Sequence, residues 1–169
     1  MKTALTVPAP NTLQGILIML LAVTGFSCVN LFAKLGSEVG TSAIADMARR
    51  FGITTPLNTH PSMVLGTADV RLLDMTRAFA SVAAKGVAVT PYGITKVTTD
   101  KGRVVYSHQA DLSTVLVAPY VAAQMTDLMQ TAVNTGTGKA ANIGRPVAGK
   151  TGTTTSNKDG WFLGFSSGL

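Results

Sequence analysis

The sequence predicts an α/β chain of the α+β type, with helices laid on an antiparallel sheet and one membrane-crossing helix ahead of them. Three observations carry that expectation. No residue from Leu13 to Ala33 is charged, and Gly15-Ile16-Leu17-Ile18-Met19-Leu20-Leu21-Ala22-Val23 is almost unbroken hydrocarbon, long enough to cross a bilayer. Apolar residues then recur at helical spacing in three stretches, near 41–52, 68–85 and 118–134. Two pairs of β-rich segments joined by turn-forming residues complete the pattern, at 94–107 and 147–165. With 169 residues, 46% hydrophobic and 13% charged, there is material for one modest core.

Residues 1–12, with Pro8 and Pro10, read as a tail, residues 13–35 as the transmembrane helix, and residues 36–169 as the folded part. Lys2 supplies only a thin basic region and no Ala-x-Ala site follows, which argues against a cleaved signal peptide. The lone Cys28 cannot form an internal disulfide and reads as a small apolar helix residue. Thr41 or Ser42 is expected to cap a helix that buries Ile44, Met47, Ala48 and Phe51. Asp46 is expected in its first turn, Arg49 and Arg50 in its last, and Gly52 in the left-handed position that ends it. The loop from Ile53 to Gly66 is punctuated by Pro56 and Pro61. His60 in that loop has no partners at metal-ligand spacing and reads as exposed.

A second helix is expected from about Ala68 to Lys85, burying Leu72, Met75, Phe79 and Val82 and ending at Gly86. Ile94–Thr98 and Arg103–Ser107 flank Asp100-Lys101-Gly102 as a hairpin, with His108 on the surface beyond it. Ala118-Pro119 opens a third helix. Val121, Met125, Leu128 and Ala132 form its expected buried face, and Asn134-Thr135-Gly136 stops it. In the loop that follows, Thr135, Thr137 and Lys139 either offer polar contacts to a peptide or form a flexible polar turn. The net charge of +6 suits an anionic membrane surface or wall polymer. The basic residues are scattered and no stripe interleaves them with aromatics, so no nucleic-acid partner is expected.

The stretch that organises the chain is Val147-Ala148-Gly149-Lys150-Thr151-Gly152-Thr153-Thr154-Thr155. A β-branched strand carries Lys-Thr-Gly-Thr, and Ser156-Asn157-Lys158-Asp159 turns into the apolar Gly160-Trp161-Phe162-Leu163-Gly164-Phe165. Gly144 to Thr151 also satisfies the phosphate-loop pattern G-x-x-x-x-G-K-[ST]. That site needs a buried strand before its first glycine and a helix beginning at the lysine. Here Gly136 to Asn142 reads as loop and the threonines after Gly152 favour strand, so a nucleotide site is not expected.

Lys-Thr-Gly on a strand is one of three motifs shared by penicillin-binding proteins and class A β-lactamases. The run from Glu38 to Phe165 resembles the later part of a class A penicillin-binding protein transpeptidase domain. It includes Asp46-Met47-Ala48-Arg49-Arg50-Phe51-Gly52-Ile53, Leu72-Leu73-Asp74-Met75-Thr76-Arg77-Ala78-Phe79-Ala80 and Gly149-Lys150-Thr151-Gly152-Thr153. Residues 1–35 resemble, in composition, the first membrane helix of drug/metabolite-transporter-type proteins. The junction near Leu31 to Glu38 therefore reads as a fusion, a deletion or a misjoined frame.

The resemblance implies an acyl-transfer cleft that takes a peptidoglycan stem peptide or a β-lactam, without a cofactor or metal. In it Lys150 would supply positive potential and a proton-relay contact, and the Thr151 and Thr153 hydroxyls would hold the substrate carboxylate. Gly152 would let the ligand lie against the strand, and the Thr153 N–H would be one oxyanion donor. The strand edge would pair with the peptide. The nucleophile is the missing part. No serine has lysine three residues on and no Ser-x-Asn occurs; Ser27-Cys28-Val29-Asn30 comes nearest. The expectation is thus a membrane-anchored piece of a D,D-transpeptidase, in the bacterial inner membrane with its folded part extracytoplasmic. It would be catalytically silent and poorly stable unless another chain completes it. A small membrane-anchored binding or assembly module is the alternative.

Overall fold

The computed structural model describes residues 38–153 and 160–166. The predicted tail, the predicted membrane helix at 13–35 and the turn Ser156-Asn157-Lys158-Asp159 lie outside the described residues. Among the described residues no helix is long and apolar enough to cross a membrane. The elements run α1 (Thr41–Arg50), a 3-10 turn (Pro61–Leu65), α2 (Leu72–Ala83), β1 (Lys96–Thr98), β2 (Val104–Ser107), α3 (Pro119–Asn134), a short 3-10 turn (Lys139–Ala141), β3 (Val147–Thr153) and β4 (Gly160–Ser166). They form two antiparallel pairs, β1 with β2 and β3 with β4.

Helix α1 buries Ile44 and Met47, with Phe51 just beyond, as its periodicity predicts, but Ala45 is buried where Ala48 was expected and Ala48 is half-buried. Gly40, not Thr41 or Ser42, occupies its N-cap. The Thr41 hydroxyl donates instead to the Thr59 carbonyl at 2.6 Å, tying the helix start to the loop. Asp46 falls beyond the first turn and pairs with Arg49 at 2.8 Å. The C-terminus follows the sequence. Gly52 takes φ 98°, and its N–H and that of Ile53 donate to the Arg49 and Ala48 carbonyls at 2.9 and 3.1 Å, the paired bonds of a Schellman motif.

Helix α2 departs from expectation. It starts at Leu72 rather than Ala68, and Leu72, assigned to the buried stripe, is 63% exposed. The buried side carries Asp74, Ser81 and Val82, with Ala78 and Phe79 packed on the core. Two polar residues can lie there because their bonds are made. Asp74 accepts from the Thr54 N–H at 2.8 Å and the Thr54 hydroxyl at 2.6 Å. Ser81 donates to the Arg77 carbonyl at 3.0 Å and accepts from the Val89 N–H at 3.1 Å.

The end of α2 also differs. Lys85 holds the left-handed position at φ 57°, ahead of Gly86 at φ 88°. A side chain at Gly86 would place its Cβ 2.4 Å from the Val117 carbonyl oxygen. That close approach lets the Gly86 carbonyl accept from the Leu116 N–H at 2.8 Å, and Val87 bridges Val115. The C-terminus of α2 is thereby fastened to the strand-like lead-in to α3.

Pro119 opens α3 as predicted, but the buried stripe is Val121, Ala122, Met125, Met129 and Val133. Leu128, assigned to it, is 39% exposed. Both stripes keep helical spacing; the covered face is rotated towards Ala122, Met129 and Val133, with Ala132 packed at its margin and Leu128 outside it. The core joins Met47 and Phe51 of the α1 end, Val82 of α2, Leu116, Val117, Val121, Ala122, Met125 and Met129 of α3 and its lead-in, and Ala148 of β3. Fully burying each such methionine contributes about 1.5–3 kcal/mol.

The β1–β2 hairpin forms where predicted, with Val97 opposite Tyr106 and an irregular register beside Thr98. It lies wholly on the surface. His108, expected on the surface, is half-buried, with its ring stacked on Tyr92 and centroids 3.6 Å apart.

The Thr54 bonds, first the hydroxyl and then the backbone N–H, hold the Asp74 carboxyl below its ordinary 3.8, with Arg71 and Arg77 adding to the effect against desolvation. A lowered carboxylate pKa stabilises the fold above the unfolded value and stops doing so as pH falls through the folded one. In urea unfolding, Asp74→Asn should be less stable than the parent at neutral pH, with the gap closing below about pH 3.8. A gap constant from pH 7 to pH 2 would contradict this assignment.

Candidate functional site

Strand β3 passes from core to surface along its length. Val147, Ala148 and Gly149 are buried, Lys150 and Thr151 half-buried, and Gly152 and Thr153 exposed. The amino half is set against α3, so the Lys-Thr-Gly-Thr half is held out at the rim without needing a core of its own. Strand β4 aligns with it throughout, with Gly149 opposite Gly164, Lys150 opposite Leu163, Thr151 opposite Phe162 and Gly152 opposite Trp161.

The two glycines of the motif do different work. A Cβ at Gly149 would sit 2.4 Å from the Phe162 ring and 3.0 Å from the Leu163 carbonyl oxygen, and one at Gly164 would sit 2.7 Å from the Ala148 carbonyl oxygen and 3.0 Å from the same ring. Phe162 thus covers a bare Gly149/Gly164 pair, a close approach that requires glycine on both strands. At Gly152 the nearest atom to a Cβ is Trp161 Cβ at 3.8 Å. Among the described residues nothing crowds that position, and Gly152 is exposed.

Around Thr151 the polar groups converge. Lys150 Nζ donates to the Thr151 carbonyl at 2.6 Å and makes a long contact of 3.4 Å to its hydroxyl. Thr137, fourteen residues earlier in the loop after α3, places its hydroxyl 2.8 Å from that of Thr151. Burial pushes the Lys150 pKa down from its ordinary 10.5, and among the described residues no carboxylate pairs with it. A lowered lysine pKa means the charged form is a cost to the fold at neutral pH, relieved as pH rises towards 10.5 or as an anion approaches.

The four predicted residues Lys150, Thr151, Gly152 and Thr153 thus stand consecutively on one rim. Sequence reasoning left Thr137 open between a peptide contact and a flexible turn; its bond to Thr151 joins two segments that only the fold brings together. It missed the Phe162 cover, for which the signal was present: glycines opposite one another in a strand pair leave room for a ring. Because β3 runs unbroken through Lys150, no helix begins there, and the phosphate-loop geometry is absent as predicted.

The site is thus an antiparallel strand pair backed by a helix, with Lys-Thr-Gly at its rim. Comparison with known proteins gives the family. Residues 18–167 match the family model described as the penicillin-binding protein transpeptidase domain. The chain is 31% identical over 159 residues to penicillin-binding protein 1A of Rickettsia typhi, covering 79% of this chain and 20% of that one. It is 35% identical over 149 residues to penicillin-binding protein 2D of Bacillus subtilis, covering 83% and 21%. Among solved structures, penicillin-binding protein A from Mycobacterium tuberculosis, as its ceftriaxone acyl-enzyme complex, superposes with a TM-score of 0.68 at 26% identity over 83% of this chain and 38% of that one.

The chain belongs to the penicillin-binding protein transpeptidase domain family. It spans about a fifth of the length of the curated relatives it matches, and the family match begins at residue 18, inside the apolar run.

The glycine environments predict opposite responses. Gly149→Ala should lower unfolding stability by about 1–3 kcal/mol through overpacking against Phe162, whereas Gly152→Ala should stay within about 0.5 kcal/mol. Equal effects in urea denaturation would contradict the close approach assigned to Gly149.

Proposed function

We propose that this chain carries the carboxylate-binding wall of a peptidoglycan D,D-transpeptidase cleft, with Lys150, Thr151, Gly152 and Thr153 receiving the terminal carboxylate of a stem peptide or of a β-lactam. The observation that supports this reading most directly is the half-buried Lys150 ammonium beside Thr151, with Gly152 open next to it. An ammonium with no counter-ion among the described residues and two hydroxyls on an accessible strand suit an anionic ligand that lies along the backbone. The solved relative's ceftriaxone acyl-enzyme adds support by kinship.

The 169 residues contain no Ser-x-x-Lys, so acyl transfer by these residues alone lacks its nucleophile. The wall would then act as part of a larger cleft, completed by another polypeptide segment. Strands β3 and β4 pair only with each other among the described residues, which leaves edges for such a segment. A binding or assembly module without chemistry is the second reading, favoured by the same missing serine.

Two observations bear on residues 13–35 and pull in opposite directions. Their apolarity supports a single-pass anchor in the bacterial inner membrane, with the folded part extracytoplasmic. The family match from residue 18 instead supports counting most of them with the transpeptidase domain.

The test is labelling of the full chain with a fluorescent penicillin, read on a denaturing gel beside an intact-mass spectrum. No covalent adduct is expected. A stoichiometric adduct abolished by Lys150→Ala would show that another nucleophile completes the site and would overturn the proposed silence.

A further inference from the structure

The loop after α3 is pressed onto the helix it leaves. The Thr135 N–H and hydroxyl both bond the Thr131 carbonyl, at 2.9 and 3.0 Å, and the Gly138 N–H donates to the Ala132 carbonyl at 3.0 Å. A Cβ at Gly136 would lie 2.8 Å from the Ala132 carbonyl oxygen, and one at Gly138 3.2 Å from it. Thr137 is therefore the one residue between two glycines flattened against the helix end, and its side chain reaches Thr151 on β3.

A hydroxyl carries one proton and two acceptor lone pairs, so the Thr137–Thr151 bond runs in either direction even with Lys150 3.4 Å from the Thr151 oxygen. A ligand carboxylate only accepts. When one reaches Thr151 the Thr151 proton turns to the ligand, and the bond to Thr137 is then made with Thr137 donating to the Thr151 oxygen. Hydroxyl chains of this kind strengthen their terminal donor.

We propose that Thr137 is a positioning residue that fixes the Thr151 rotamer and, by donating to the Thr151 hydroxyl oxygen, strengthens Thr151 as a donor to a ligand carboxylate. The binding half of this statement rests on the function proposed above. The rotamer half stands on geometry alone. Removing the Thr137 hydroxyl should leave the fold intact, since Thr137 is exposed and its backbone is held by the glycines on either side.

The experiment uses the full chain with Thr137→Val and Thr137→Ser. Three-bond couplings to the Thr151 methyl carbon report its side-chain angle, and titration with an N-acylated D-Ala-D-Ala dipeptide reports binding. Thr137→Val should average the Thr151 couplings and weaken dipeptide binding about fivefold, the worth of one modest hydrogen bond. Thr137→Ser should restore both. A single fixed Thr151 rotamer in Thr137→Val, or failure of serine to restore it, would overturn the proposal. If the parent chain does not bind the dipeptide, the functional reading fails, while the couplings still decide the role of Thr137.

Discussion

The burial of the first half of β3 against α3 is the constraint on which the rest depends. Val147 and Ala148 lie in the interior with Met125, Met129 and Val133, and their burial fixes the direction in which Lys150 to Thr153 emerge. A motif of one lysine, two threonines and a glycine has almost no apolar surface with which to hold itself. Its order is borrowed from three residues upstream. The same logic explains the glycines: Gly149 and Gly164 bring β3 and β4 together beneath Phe162, and only past that point does the strand carry polar side chains outward.

From that anchor the other helices follow as supports. Leu116, Val117 and Val121 share a core with Val82 and Phe51, and the bare Gly86 lets the end of α2 close on the entry to α3. Asp74 and Thr54 tie the loop after α1 to α2, so α1 is joined to the core through its end and through this polar bond. The electrostatics at the rim come from the same packing. Lys150 is half-buried because its strand has only just left the core, and that burial leaves its charge poorly solvated and suited to an anion.

Much of this was legible in the sequence. The three described helices, apart from the start of α2, the β1–β2 hairpin, the Gly52 terminus and the Lys-Thr-Gly strand follow from periodicity and turn chemistry. The errors have a common physical origin. Leu72 and Leu128 were assigned to buried faces because hydrophobicity was read as burial, but which side of a helix is covered depends on neighbours that local spacing does not contain. Asp74 and Ser81 were missed for the converse reason: a buried polar group is invisible until its partners, Thr54, Arg77 and Val89, are brought to it. Thr137 belongs to the same class. The Gly-Thr-Gly loop announces tight backbone, and only the tertiary fold shows that it aims a hydroxyl at Thr151.

Recognition of a carboxylate by the emergent half of β3 is open to amide chemical-shift mapping of the full chain with an N-acylated D-Ala-D-Ala dipeptide, repeated with its methyl ester. Shifts concentrated at Thr137 and Lys150 to Thr153 are expected with the free acid, and their loss with the ester. Equal shifts with acid and ester, or shifts centred away from β3, would contradict it.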